Sequence, residues 1–96
     1  MPAYLIVNID LRDAEAYKPY IAAVPPIVAR HGGEYLVRGG AFEIIEGTWQ
    51  PNRLVLFRFP DRAAIRAFVD DPDYAPFKAL RLSVATTDSV AVDGIA

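Results

Sequence analysis

Two predicted strands that are apolar on both sides restrict the fold of this chain more than any other feature. Residues 3–9 (AYLIVNI) are rich in β-branched and aromatic side chains, which is typical of a strand. In residues 53–59 (RLVLFRF), apolar side chains occupy both odd and even positions. A strand with one face in water alternates apolar and polar residues, and these two do not. The pattern therefore predicts a sheet that is covered on both faces.

The first predicted helix follows directly after the first strand. Asp13 can accept hydrogen bonds from the free amides of a first helical turn, and apolar residues recur at helical spacing up to Val24. Pro25 and Pro26 cannot donate backbone hydrogen bonds, so we expect the helix to kink or restart there. It should end at the glycines of residues 32–33, because glycine readily takes the left-handed stop conformation.

Residues 34–38 and 42–46 (FEIIE) are expected to form one strand that Gly39 and Gly40 interrupt with a bulge or a tight turn. The strand at residues 53–59 follows a loop that carries Trp49. The order up to this point is therefore β-α-β-β.

A second helix and a last strand complete the chain. Asp61 is expected to cap this helix, and Asp71 with Pro72 is a cap and first-turn pair for a further helical segment. Residues 89–93 (SVAVD) predict a short final strand. The chain is thus interpreted as a single α+β domain over residues 1–96 with the order β-α-β-β-α-β.

This order has a consequence for the assembly of the protein. Right-handed crossovers place both helices on the same face of the sheet, so the second apolar face needs another cover. Each Val, Leu or Phe that is buried contributes roughly 1.5–3 kcal/mol. We expect a second copy to stack sheet on sheet in a homodimer with twofold symmetry. The alternative is a monomer in which loops and the C-terminal tail cover that face.

Composition excludes several classes of partner and site. The formal net charge is -2 and the basic residues are scattered, so no nucleic-acid or anionic membrane surface is expected. The chain has no cysteine, which excludes disulfides, thiolate nucleophiles and zinc-thiolate sites. The N-terminus lacks a signal-peptide pattern and the apolar runs are too short to cross a bilayer. We expect a cytoplasmic location.

Several segments in this order are similar to a known family. GGEYLVRGG (32–40), IIEGTW (44–49), RLVLFRFPD (53–61) and DPDYAPFKALR (71–81) resemble the domain of unknown function 1330 family. The resemblance extends from Tyr4 to about Gly94. It implies the dimeric α/β-barrel superfamily, with a ferredoxin-like protomer, an antiparallel sheet and a cleft between sheet and helices. That superfamily includes cofactor-free monooxygenases, haem-degrading enzymes, isomerases and binding modules, so the fold does not choose among them.

Seven residues are candidates for lining a ligand cleft: Asn8, Tyr17, His31, Arg38, Trp49, Tyr74 and Arg81. Arginine beside a glycine turn can hold a carboxylate or phosphate, and this applies to Arg38. The favoured alternative is that Arg38 pairs with Glu43 or Glu46. Arg81 can reach a ligand or a carboxylate such as Glu46.

The polar candidates each have a structural alternative as well. Asn8 either satisfies a backbone group or points into a pocket. His31 is the only histidine, and it can act as a base or stabilise the end of the first helix through the helix dipole. Trp49 is interpreted as an anchor across the dimer interface, where tryptophan is enriched. The superfamily's monooxygenases often use Asn, Trp and His or Tyr, and Asn8, Trp49 and His31 or Tyr17 are superficially such a set.

The leading hypothesis is a homodimer that binds a small organic acid or aromatic compound. Its rival is a cofactor-independent monooxygenase or isomerase, and a third hypothesis is a structural dimer without a ligand. Nucleotide-binding, dinucleotide-binding, serine-triad and zincin motifs are absent from the sequence, so no cofactor and no metal site are expected. No catalytic residue is assigned.

Overall fold

A computed structural model describes residues 1–95 of the protein. These residues form β1 (Ala3–Leu11), α1 (Ala14–Arg30), β2 (Glu34–Arg38), β3 (Arg53–Phe59), α2 (Arg62–Val69), α3 (Ala75–Val84) and β4 (Ala85–Asp93). The strands make one antiparallel sheet in the order β2-β3-β1-β4. The predicted α+β class and the ferredoxin-like antiparallel sheet are confirmed, with the second helical region divided into α2 and α3.

Helix α1 begins as predicted but does not restart at its prolines. The Asp13 side chain accepts a hydrogen bond from the Ala16 amide at 3.1 Å and caps the first turn. The helix then continues through both Pro25 and Pro26 to Arg30. Its buried apolar residues, which include Val24, Ile27 and Val28, lie on both sides of the prolines. Burial of about 1.5–3 kcal/mol per side chain offsets a cost of about 3 kcal/mol per proline.

The strand predicted at residues 42–46 is not formed. Gly39 takes a φ of +71° and its amide donates to the Leu54 carbonyl at 2.8 Å, which ends the pairing of β2 with β3. The chain leaves the sheet there, so the FEIIE segment finds no strand to pair with in residues 1–95. We call residues 39–52 the arm. Phe42, Ile44 and Ile45 are exposed in it.

The boundaries around α3 also differ from the prediction. Tyr74, not Asp71, occupies the N-cap position of α3 and makes no side-chain cap. Asp71 instead accepts from the Asp73 amide at 2.8 Å in the preceding turn. Strand β4 starts at Ala85, earlier than predicted, because β1 offers pairing positions as far as Leu11. The small polar residues at the start of β4 gave no strand signal.

The sheet has one face under the helices and one without a helical cover. Side chains at alternate positions of β1 and β3, among them Leu5, Val7 and Phe57, are buried in the core with residues of α1, α2 and α3. The other side carries Tyr4, Ile6, Leu54, Leu56, Val90 and Val92, which we call the open face. The two-sided apolar character is confirmed. A second copy on the open face remains a prediction.

Candidate functional site

A cavity of about 190 Å³ lies between the sheet and the helices. Its floor is apolar and consists of Leu5, Val7, Ile9, Val55 and Phe57. Its walls are largely aromatic and are formed by Tyr17, Tyr20, Tyr35, Phe68 and Tyr74. An apolar cavity of about 150 Å³ is large enough for benzene. The space therefore suits a small molecule with a flat apolar body.

Four cationic side chains of residues 1–95 also line this apolar space: Arg38, Arg53, Lys78 and Arg81. None of the four takes part in a salt bridge within that part of the chain. The described lining contains no Asp or Glu. Like charges that share one site repel each other, and an anion between them would relieve that repulsion. The cavity is therefore electrostatically complementary to an anion.

Arg38 is held in place by neutral groups. Its Nη2 donates to the Ile21 carbonyl at 2.8 Å, and its guanidinium lies 4.8 Å from the centre of the Tyr35 ring. The predicted pairing with Glu43 or Glu46 is wrong, because both glutamates belong to the exposed arm. A guanidinium that is oriented by a carbonyl and an aromatic ring keeps its positive charge free for another partner.

Arg53 and Lys78 are the two lining cations that sequence reasoning missed. The side chain of Arg53 packs against Gly39, where a Cβ atom would lie 2.6 Å from the Arg53 Cζ. Its Nε is buried and has no hydrogen-bond partner in residues 1–95. An arginine on the strand face that also carries Val55 and Phe57 must point toward the helices. This alternation is the sequence feature that identifies Arg53 as a residue of the cavity.

Lys78 and Arg81 approach the cavity from α3. They are three residues apart, which places them on one side of the helix. Arg81 lies beside the Tyr20 and Tyr74 hydroxyls, which are 2.6 Å apart. The alternative partner Glu46 makes no salt bridge with Arg81 in the described chain. A second cationic pair therefore faces the cavity from the helical side.

Tyr17, Tyr20 and Tyr35 remain protonated at neutral pH, because the pKa of each is raised. Burial raises the pKa of Tyr17 to about 12. Burial and the neighbouring Tyr74 raise the pKa of Tyr20 further, and burial also raises the pKa of Tyr35. A phenol donates its proton to an acceptor when it stays neutral. The aromatic walls therefore contribute hydrogen-bond donors and no negative charge.

Four of the seven predicted ligand residues line the cavity, namely Tyr17, Arg38, Tyr74 and Arg81. The other three lie elsewhere. Asn8 is on the side of the open face, where its Oδ1 accepts from the Asn52 amide at 2.8 Å, in agreement with the alternative of satisfying a backbone group. Trp49 is 61% exposed in the arm. The structure thus does not gather the monooxygenase-like set of Asn, Trp and His or Tyr.

His31 is the third residue outside the cavity, at the end of α1 as predicted. Its Nε2 lies 2.7 Å from an oxygen of the nearly buried Asp71, which also accepts from Arg30 at 3.1 Å. The hydrogen bond from His31, with the Asp73 amide and Arg30, lowers the pKa of Asp71. This cluster attaches the turn before α3 to the end of α1. It therefore supports Tyr74 in the cavity wall.

The described residues do not gather three or more His, Asp or Glu side chains that could hold a metal ion. The helices in residues 1–95 also lack the length and apolar character required to cross a membrane.

The family model for a domain of unknown function (DUF1330) matches residues 2–95. The chain belongs to the DUF1330 family. The match covers every strand and helix of the fold, including the segments that line the cavity. No curated protein matches the chain at a significant level.

Solved structures share the fold of this DUF1330 chain. A protein of unknown function from Rhodopseudomonas palustris is 20% identical over 99% of this chain and 83% of its own, with a TM-score of 0.79. SnoaB, a cofactor-independent oxygenase from Streptomyces nogalater, is 12% identical over 99% and 94%, with a TM-score of 0.67. A dimeric ferredoxin-like protein of unknown function from a Jannaschia species is 13% identical over 98% and 100%, with a TM-score of 0.63. At these identities the likeness shows the fold alone.

Proposed function

We propose that this protein binds a small organic acid with a flat apolar or aromatic body in the cavity between sheet and helices. The observation that carries the proposal is the set of four cations around an apolar floor that make no salt bridge within residues 1–95. An acid with an apolar body satisfies both parts of this lining. Its carboxylate meets the guanidinium groups, and its body covers the floor.

Arg53 and Arg38 supply the anchor for the carboxylate. The buried Nε of Arg53 lacks a partner among the described residues, and Arg38 is fixed by Ile21 and Tyr35 beside it. A hydrogen bond to a charged group contributes about 1.5–3 kcal/mol. Arginine also matches the planar geometry of a carboxylate better than lysine does. The strand side of the cavity is therefore the place for the acid group.

Binding is favoured over monooxygenase or isomerase chemistry by the absence of His, Asp and Glu from the described lining. No His, Asp or Glu of residues 1–95 faces the cavity, and the pKa values of Tyr17, Tyr20 and Tyr35 are raised. A general base that acts near neutral pH needs a pKa close to 7. Oxygen consumption with a phenolic acid such as 4-hydroxybenzoate would contradict binding without turnover.

The acid site is tested by isothermal titration calorimetry with benzoate. The wild-type protein should bind benzoate, and Arg53→Gln should weaken binding about tenfold or more, because a charge-assisted hydrogen bond is lost. Arg66→Gln is the matched control, since Arg66 is exposed on α2 and does not line the cavity. Equal benzoate affinity in all three proteins, or no binding by the wild type, would refute the proposal.

We propose in addition that the protein is a homodimer through the open face. Ile6 lies at its centre, between Leu56 on β3 and Val90 on β4. Val90 is 57% exposed in the single chain, and the arm adds exposed apolar residues such as Ile45. A symmetric partner would cover the same surface on both copies, which a single chain leaves in water.

Sedimentation equilibrium tests the dimer. The wild-type protein should sediment as two chains, and Ile6→Asp should shift it to single chains because two carboxylates would be buried at the twofold interface. Leu82→Asp is the control, since Leu82 is 58% exposed on α3, away from the open face. A wild-type protein that sediments as a single chain at micromolar concentration would contradict the dimer.

A further inference from the structure

Two buried polar atoms that have no hydrogen-bond partner within the described part of the chain face the same cavity. They are the Nε of Arg53 and the hydroxyl of Thr87. Both residues pair with Ile9, Arg53 from β3 on one side of β1 and Thr87 from β4 on the other. Buried polar groups usually have a partner, so an unpartnered one indicates a place where a ligand atom belongs. The cavity has two such places.

One carboxylate cannot serve both atoms. Two strand spacings separate Arg53 and Thr87 at the backbone, which is about 9–10 Å. The guanidinium of Arg53 packs against Gly39, on the β2 side, and is thus turned away from Thr87. A ligand that satisfies both groups therefore needs polar atoms at its two ends.

Two further cations line the cavity from the helix that precedes β4 in the chain. Thr87 lies on β4, the strand that follows α3 directly, and α3 carries Lys78 and Arg81. These side chains donate hydrogen bonds and carry positive charge, so they favour an anionic acceptor over a neutral group. Ile9, which belongs to the apolar floor, lies between Thr87 and Arg53 in the sheet.

We infer that the ligand is a dianion of the dicarboxylate class, with acid groups at both ends of a flat apolar spacer. This inference rests on the proposed acid site. One carboxylate binds Arg53 and Arg38, and the other binds the Thr87 hydroxyl with Arg81. The spacer lies across β1. A monocarboxylate fills only the first of these two positions.

Three aromatic acids test the inference by calorimetry. Terephthalate has its two carboxylates at opposite ends of the ring, phthalate has them on adjacent carbons, and benzoate has one. Terephthalate should bind at least tenfold more tightly than either of the others, since only it reaches both ends of the cavity. Phthalate controls for total charge because it carries the same charge in a different spacing.

Variants at the second end complete the test. Thr87→Val keeps the shape of the side chain and removes the hydroxyl, and Arg81→Gln removes the charge. In each of these two variants, the affinity for terephthalate divided by the affinity for benzoate should fall toward one. Arg66→Gln should leave this ratio unchanged.

The possible failures can be told apart. If the wild type binds benzoate as tightly as terephthalate while Arg53→Gln weakens both, the two-ended ligand is refuted and the acid site stands. If phthalate matches terephthalate, charge alone decides and the inference is overturned. If the wild type binds none of the three acids, the proposed function fails together with the inference.

Discussion

Replacement of Arg53 by Met should stabilise the ligand-free protein while it removes acid binding. Methionine keeps the apolar stem of the arginine, ends at about the position of its Nε, and lacks the guanidinium. In the ligand-free cavity, the Nε of Arg53 is buried without a protein partner among residues 1–95, and three further cations share the space. When a residue serves ligand binding and destabilises the fold, its replacement raises the stability of the protein and weakens binding.

The magnitude follows from the buried nitrogen. A buried polar group that lacks a hydrogen bond costs about 1–3 kcal/mol, and repulsion among the cations adds to this. Lost contacts with Gly39 offset part of the gain. We expect the free energy of unfolding to rise by about 1 kcal/mol, which corresponds to about 4–8 °C in Tm for a domain of 60–100 residues.

Differential scanning calorimetry at one protein concentration measures this change, in a buffer free of carboxylates and phosphate. Addition of benzoate should raise the Tm of the wild type and leave the Tm of Arg53→Met unchanged. Arg66→Met is the control, and an exposed substitution of this kind should stay within about 0.5 kcal/mol. A loss of 1 kcal/mol or more in Arg53→Met would mean that Arg53 holds the fold together, and the reasoning would be refuted.

Three further predictions concern neighbouring groups. Gly39→Ala should weaken benzoate binding by calorimetry, because φ is +71° there and the added Cβ would displace the Arg53 guanidinium. Asp71→Asn should lower the Tm at neutral pH, and the Tm of the variant should fall less steeply as the pH is lowered. The hydrogen bond from His31 lowers the pKa of Asp71 below 3.8, so its stabilisation is present above that pH and is lost as pH falls through the lower folded-state pKa. In a spectrophotometric titration, Tyr17 should ionise near pH 12 instead of 10.

Matched controls exist for two of these changes. A Cβ added at Gly40 meets no atom within 4 Å, so Gly40→Ala should leave benzoate binding intact. Asp73 is exposed and shares only Arg30 with Asp71, so Asp73→Asn should have the smaller effect on Tm. Equal effects of the two glycine changes, or of the two aspartate changes, would contradict the assigned contacts. If all of the tyrosinate absorbance appears with a midpoint near pH 10, the burial of Tyr17 is contradicted.

The sheet could be predicted because the residue patterns that specify it lie within short segments of the sequence. Apolar residues at both odd and even positions of β1 and β3 show that both faces are apolar, and Asp13 and Asp61 mark helix starts through hydrogen bonds within one turn. The FEIIE segment was misread for the same reason. Its Phe and Ile residues favour a strand, but strand formation also requires a partner, and Gly39 turns the chain away from β3.

The candidate site was predicted only in part, because convergence of side chains depends on the direction of each strand residue. Arg38 was selected for its glycine neighbours, whereas the same-face alternation that directs Arg53 inward was not applied. Asn8 stood out as polar in an apolar strand, yet it falls on the even side, which faces away from the helices. Thr87 was not recognised as a cavity residue, because the last strand was predicted to start at Ser89, two residues after it.

The most direct measurement is a crystal structure with bound 4-bromobenzoate, in which the anomalous signal of bromine locates the ring. The account predicts a carboxylate within hydrogen-bonding distance of the Arg53 Nε, with bromine across β1 on the side of Thr87 and Arg81. Bromine found only on the open face or the outer surface, with the cavity between sheet and helices free of the acid, would contradict it.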